Sequence, residues 1–151
     1  MHSLVRRYIK TAIGFLMTGL VMGIWMVVRR EIRNMHPTPY EISAHTHVIL
    51  VGFVMTMILG VALWLFPRPD KTDERYRPHL AEAAYWTLTL GTASRFIAEL
   101  ARTHSAAGWL RWVVVAASIA QVTALALFFY TMWSRIRAVG SAVREAKGER
   151  F

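Results

Sequence analysis

Four blocks of apolar residues, each about as long as a bilayer is thick, constrain this chain more than any other feature. They cover about residues 11–28, 44–66, 80–101 and 112–134 of the 151. A helix needs about 20 mostly apolar residues to cross the ~30 Å hydrocarbon core, and each block meets that length. We therefore predict an all-α membrane protein: a single domain, residues 1–151, built as a four-transmembrane-helix bundle.

The basic residues are spread unevenly over the segments that separate the blocks. The N-terminal tail, the second loop and the C-terminal tail together hold more Lys and Arg than the first and third loops. Because basic segments stay on the cytoplasmic side, both termini are predicted to be cytoplasmic. These loops account for the net charge of +9, so the lipid bilayer and not nucleic acid is the expected partner. The chain has no cysteine, which excludes disulfides, thiolate iron–sulfur ligation and thioether-attached haem.

Two histidines, His45 and His47, open the second block. Counted at about 100° per residue, His45 lies on the same face as Gly52, Thr56 and Gly60, and His47 lies on nearly the opposite face. Small residues in a membrane helix allow another backbone or a flat ligand to come close, so His45 could head a groove that seats a porphyrin. The alternative is that the histidines are interfacial anchors and that the small residues serve helix packing.

A family resemblance bears on this choice. The stretch Ala44–Pro69, AHTHVILVGFVMTMILGVALWLFPRP, resembles the second transmembrane helix of haem-copper oxidase and nitric oxide reductase catalytic subunits. In that family a histidine opens the helix on the outer side, a glycine lies about two-thirds of the way along, and a proline or basic residue closes it. These places are taken here by His45-Thr46, Gly60 and Pro67-Arg68. The resemblance covers the first two helices and implies that His45 is an axial ligand of a b-type haem.

The same stretch also resembles other haem-related membrane proteins of denitrifying bacteria, which leaves His47 as the second candidate for a metal ligand. A multi-pass protein of the bacterial inner (cytoplasmic) membrane is therefore expected. The chain is much shorter than the family's catalytic subunit, and it contains no copper-site helix and no later helix with two haem ligands. No complete binuclear centre is expected in one chain, so whether it is an enzyme stays open.

Other residues are candidates for completing a haem site. A second axial imidazole would come from His104, from His36, or from a second copy of the chain in a homo-oligomer, which the family's repeated arcs of helices make plausible. The third block carries a polar stripe that includes Arg95, Glu99 and Arg102. Charges at this depth face a protein interior or a wet cavity. Arg95 and Glu99 either pair to hold the bundle together, or Arg95 or Arg102 binds haem propionates.

The sequence thus predicts a b-type haem membrane protein that transfers electrons or binds a diatomic gas, O₂ or NO. The alternative is a cofactor-free accessory or assembly subunit of a larger respiratory complex. A third interpretation is copper handling, because Met22 and Met26 are one turn apart on the first helix and, with Met17 and the histidines, offer soft Cu(I) ligands.

Overall fold

The computed structural model describes residues 3–66 and 77–136, together with Lys147. The described residues form four long helices and no strand. Their bounds are Ser3–Arg33 (α1), Pro39–Leu65 (α2), Pro78–His104 (α3) and Gly108–Met132 (α4), and a 3-10 turn, Trp133–Arg135, follows α4. Three of them, α1, α2 and α4 with its 3-10 turn, are long and apolar enough to cross a membrane. The prediction of an all-helical membrane protein is confirmed.

The turn between α1 and α2 is held by capping interactions. Asn34 ends α1 with a left-handed φ of 51°, a conformation that asparagine tolerates better than most residues. Thr38 caps α2: its Oγ1 accepts a hydrogen bond from the Glu41 backbone N–H (3.3 Å), and the Glu41 carboxylate accepts one from the Thr38 N–H (2.6 Å). The same carboxylate pairs with Arg29 of α1 at 2.5 Å. This pairing sets the height of α2 relative to α1.

The second helix is not a regular α-helix throughout. A π-helical segment, Val48–Met55, follows His47 directly, and α-helix resumes at Thr56. The Thr56 backbone N–H donates to the carbonyl of Val51, five residues back, as the wider π turn requires. The helical faces predicted for residues beyond Val48 assumed a regular α-helix. In the π-helical segment the angle per residue differs, so the face of each residue is taken from its contacts with neighbouring helices.

Those contacts place two glycines of α2 against α1. A Cβ at Gly52 would lie 2.7 Å from Cγ of Phe15, and a Cβ at Gly60 would lie 2.9 Å from Cβ of Tyr8. Both distances are too short for a methyl group, so glycine at these positions allows the two helices to approach closely. The π segment and the α-helical segment after it therefore both turn a glycine toward the first helix.

Helices that follow each other in the chain also pack against each other: α1 on α2, α2 on α3 and α3 on α4. One end of the bundle holds the turns 34–38 and 105–107, and we call it the short-loop end. At the opposite end all four helices contribute to one apolar cluster. In it the fully buried ring of Tyr8 lies edge-on to Tyr85 and Phe128, with ring centroids 5.0 and 6.0 Å away.

A buried arginine closes the same end. Arg135, 4% exposed, donates hydrogen bonds from Nη2 to the carbonyls of Leu63 (3.3 Å) and Phe66 (3.1 Å), where α2 ends. A cation at a helix C-terminus satisfies carbonyls that have no partner within the helix and complements the helix dipole. The end of α4 is thereby joined to the end of α2.

The close α1–α2 contact can be tested with matched glycine variants. Gly60→Ala is expected to lower the free energy of unfolding by about 1–3 kcal/mol, because the added methyl group overpacks against Tyr8. Gly14→Ala is the control: it adds the same atoms to α1 at a position with nothing within 4 Å of the new Cβ. Unfolding of both variants in mixed micelles measures the difference, and equal stability of the two would contradict the packing described above.

Candidate functional site

The His45 ring lies half-buried at the contact between α1 and α2. A Cβ at Gly23 of α1 would lie 3.2 Å from Cε1 of His45, so the absence of a side chain at Gly23 leaves room for the ring. The Nδ1 atom of His45 is buried and has no hydrogen-bond partner among the described residues. A buried polar atom without a partner costs about 1–3 kcal/mol. Among the histidines of the described residues, His45 is therefore the one with a buried ring nitrogen that has no hydrogen-bond partner.

His47 has a different environment. Its Nδ1 lies 2.8 Å from the backbone oxygen of Ser43 and 3.4 Å from the Ser43 hydroxyl. Because a carbonyl oxygen only accepts, Nδ1 is the protonated nitrogen in this bond, and Nε2 of the neutral ring carries the lone pair. The ring of His47 is thus oriented by its own helix, one turn back.

Ser43 connects this histidine to a chain of hydrogen bonds that we call the Glu99 network. The Ser43 hydroxyl donates to Oε1 of Glu99 (2.8 Å), and Nε of Arg95 donates to the same oxygen (3.1 Å). Arg95 also donates from Nη1 to Oε1 of Gln121 (3.3 Å), and Gln121 donates from Nε2 to the hydroxyl of Thr92 (3.1 Å). The network joins α2, α3 and α4.

The carboxylate at the centre of the network is only partly satisfied. Glu99 is 3% exposed, and its second oxygen, Oε2, is buried without a partner among the described residues. Arg95 is the cation beside it, one turn away on α3, with its side chain 16% exposed. Pairing of this kind lowers the cost of holding charges away from water. Of the two roles predicted for Arg95 and Glu99, these contacts favour the one that holds the bundle together.

The remaining candidates lie at the short-loop end. The Arg102 guanidinium stacks on the ring of Tyr40, 4.4 Å from its centroid, and donates to the Tyr40 hydroxyl at 2.9 Å. Arg102 and His104 line one cavity of about 510 Å³ together with Arg111, and the lining does not include His45. Thus the structure groups Arg102 with His104, and Arg95 with Glu99. The groove predicted over Gly52 and Gly60 is filled by side chains of α1.

Sequence reasoning overlooked several residues of this region. Thr38 and Glu41 form a Thr-x-x-Glu capping box, a signature that is visible in the sequence. Ser43 precedes His47 by four residues, the spacing at which two side chains of one helix meet. The contact of Gly23 with His45 joins residues far apart in the chain, and nothing in the local sequence indicates it.

The described residues were also compared with what a protein-bound metal ion, including copper, would need. Within 3–66 and 77–136, no group of three or more His, Asp or Glu side chains could hold a metal ion. Of the methionines proposed as copper ligands, Met22 is 6% exposed, Met26 is half-buried and Met17 is 56% exposed. The three methionines thus have different surroundings on α1.

The all-helical fold agrees with a comparison to known families. The family described as cytochrome c and quinol oxidase polypeptide I matches residues 3–148, nearly the whole chain. The chain therefore belongs to this family and is a membrane protein related to the haem-copper oxidases. The predicted resemblance is confirmed, and it extends beyond the first two helices. No curated protein and no solved structure matches the chain significantly.

The pairing of Arg95 with Glu99 can be tested by removing one charge and then both. Glu99→Met is expected to lower the free energy of unfolding by about 3 kcal/mol, because Arg95 is left as an uncompensated charge. The double variant Arg95→Met with Glu99→Met is expected to recover most of that loss, since no buried charge remains. Unfolding of the four proteins of this double-mutant cycle in mixed micelles measures the coupling. Strictly additive losses would show that the two side chains do not act as a pair.

Proposed function

We propose that this chain binds a b-type haem, with His45 as an axial ligand, and that the haem transfers electrons or binds a diatomic gas. The observation that carries the proposal is the ring of His45, which is half-buried and has an Nδ1 atom without a partner among the described residues. Membership of a haem-copper oxidase family supports haem as the cofactor. Histidine is a common axial ligand of haem iron. When bound, the haem supplies the reversible one-electron change or the coordination position for the gas.

Within one chain, the residues around His45 provide a single candidate axial ligand, His45 itself. The close contacts of Gly52 and Gly60 with α1 hold the two helices at the distance that places His45 over Gly23. Arg95 takes part in the Glu99 network, and Arg102 is held by Tyr40. We assign to Gly23, Gly52, Gly60, Arg95 and Arg102 the role of positioning the helices that surround the haem. His47 would be a positioning residue as well, tied through Ser43 to α3.

A second axial ligand would come from another copy of the chain. The helices pack in the order of the sequence, and α1 and α4 expose apolar side chains along their length, among them Ile24 (66%) and Val122 (68%). Such faces suit either lipid or a second copy. We propose a homo-oligomer in which His45 of two copies would ligate one haem without a further histidine in the same chain. With both axial positions occupied, such a haem would transfer electrons, whereas gas binding would need one of the two positions open.

The proposed topology places both termini in the cytoplasm of a bacterial cell and all four helices across its inner membrane. The third helix has 27 residues, about 40 Å at 1.5 Å per residue, and is antiparallel to its two neighbours in the chain. If α2 and α4 cross the bilayer, α3 must return the chain across it. The count of Lys and Arg that supports the orientation includes Arg68, Lys71 and Arg75, which lie outside the described residues.

A cofactor-free subunit of a respiratory complex is the second candidate function. It is favoured by the filled space over Gly52 and Gly60, which leaves no open groove on that side of α2 within one chain. In that case the Glu99 network and the glycine contacts would serve the bundle alone, and the purified protein would be colourless.

The haem proposal predicts a visible spectrum that depends on one histidine. Wild-type protein, purified from cells supplied with haem, is expected to show a Soret band and a reduced-minus-oxidised spectrum of a b-type haem. His45→Ala is expected to lose at least about nine-tenths of the bound haem, because an axial bond to the iron is removed. His47→Ala is expected to keep most of it, and His79→Ala, which changes an exposed histidine at the opposite end of the bundle, is the control.

Two results would contradict the proposal. A wild-type protein without a Soret band would exclude haem and favour the accessory subunit. Loss of the band in His47→Ala alone would transfer the ligand role to the histidine whose Nδ1 is held by Ser43.

The oligomer proposal predicts the stoichiometry of haem and chain. If His45 of two copies ligates one iron, the purified protein contains one haem for two chains and shows the electron paramagnetic resonance of a low-spin bis-histidine iron. Quantitative haem and protein determination measures the ratio of haem to chain. Analytical ultracentrifugation, with the contribution of bound detergent subtracted, measures the number of chains in the particle. A monomer that holds one haem per chain would refute the shared ligation.

A further inference from the structure

A cavity at the short-loop end stands apart from the His45 site. It lies between the start of α2 and the turn from α3 to α4, with a volume of about 510 Å³. Its polar walls are formed by Tyr40, Arg102, Thr103, His104, Ser105 and Arg111. The lining contains three basic side chains, two hydroxyl-bearing side chains of Ser and Thr, one tyrosine and no carboxylate.

The two arginines of this cavity have donors to spare. Neither forms an ion pair with an Asp or Glu in the part of the chain that the structure describes. Arg102 uses one N–H group on the Tyr40 hydroxyl, and the ring of Tyr40 holds its guanidinium plane. Nη2 of Arg111 comes within 3.9 Å of the position of a Cβ on Gly108, across the turn. A guanidinium has five N–H donors, so most of them remain available to an oxygen-rich anion.

The cavity also lies where a membrane would place phosphate groups. Trp109 and Trp112 are next to the lining residues Gly108 and Arg111 at the start of α4, and they are 64% and 66% exposed. Exposed tryptophans at the end of an apolar membrane helix are typical of the headgroup level. Because the apolar part of α4 begins just after them, the cavity faces the interface and not the hydrocarbon.

We propose that this cavity binds a phosphate group, which an anionic phospholipid of the adjacent leaflet supplies. Arg102 and Arg111 donate to the phosphate oxygens, and His104 contributes a third donor. Guanidinium groups suit this ligand because they bind two oxygens of a phosphate at once. The site does not depend on haem, since its lining does not include His45. The test of phosphate binding is therefore independent of the test of the haem proposal.

The test compares lipid retention by wild type, Arg111→Gln, Arg111→Lys and Arg33→Gln. Arg111 and Arg33 are both exposed, so the fold tolerates their replacement. Arg33→Gln is the matched control, because it removes one positive charge from the short-loop end at a position outside the cavity. Each protein is placed in nanodiscs with equal amounts of phosphatidylglycerol and phosphatidylcholine, and the lipids it retains are measured by native mass spectrometry. Wild type and Arg33→Gln are expected to retain phosphatidylglycerol preferentially. Arg111→Gln is expected to lower that preference about tenfold, with partial recovery in Arg111→Lys.

A second arm separates the two sources of phosphate. Inorganic phosphate is titrated into lipid-stripped protein at constant ionic strength, and the melting temperature is followed. A rise that Arg111→Gln abolishes, without preference for phosphatidylglycerol in the nanodiscs, keeps the phosphate site but assigns it to free phosphate. Equal behaviour of wild type and Arg111→Gln in both arms overturns the proposal. An equal loss in Arg33→Gln also overturns it, because general surface charge would then explain the effect.

Discussion

The cost of holding the Glu99 carboxylate away from water shapes the rest of this structure. A charge in a membrane-spanning bundle needs partners, and three helices supply them: Arg95 from its own helix, Ser43 from α2, and Gln121 from α4 by way of Arg95. These contacts fix how α2 and α4 are rotated against α3, because a rotation of either helix would take the polar group out of reach. Lipid offers no polar replacement, so the network acts as a rotational restraint as well as a source of stability.

The first helix is joined to this frame mainly by shape, and ion pairs reinforce the contact near its two ends. Along most of its length it contacts α2 through glycines, and at the short-loop end the pair Arg29–Glu41 sets its height. Both devices act on His45. The capping box begins α2 about two turns before this histidine, and Gly23 of α1 leaves the space that its ring occupies. The environment of the proposed haem ligand is thus a product of the α1–α2 contact, while His47 belongs to the frame formed by α2 and α3.

Much of the architecture followed from simple regularities of the sequence. Apolar blocks of membrane length predicted all four helices, because the hydrocarbon thickness sets a minimum length that few other folds require. The i, i+4 spacing of Arg95 and Glu99 predicted their pairing on one face. The direction in which side chains of α2 beyond His47 point could not be predicted from the sequence. A π-helical segment changes the angle per residue, and no residue in Val48–Met55 indicates such a segment. The Thr38–Glu41 capping box was readable but was overlooked.

The sequence by itself determined the class of this protein, its family and the two histidines that merit attention, because hydropathy and short motifs are local properties of the chain. The tertiary structure alone decided how those histidines differ. It placed His45 against Gly23 with its Nδ1 unpartnered, linked His47 through Ser43 to Glu99, and brought Arg102, His104 and Arg111 into one cavity. Each of these facts depends on the packing of helices distant in sequence or on the exact course of a turn. Local periodicity carries no information about either.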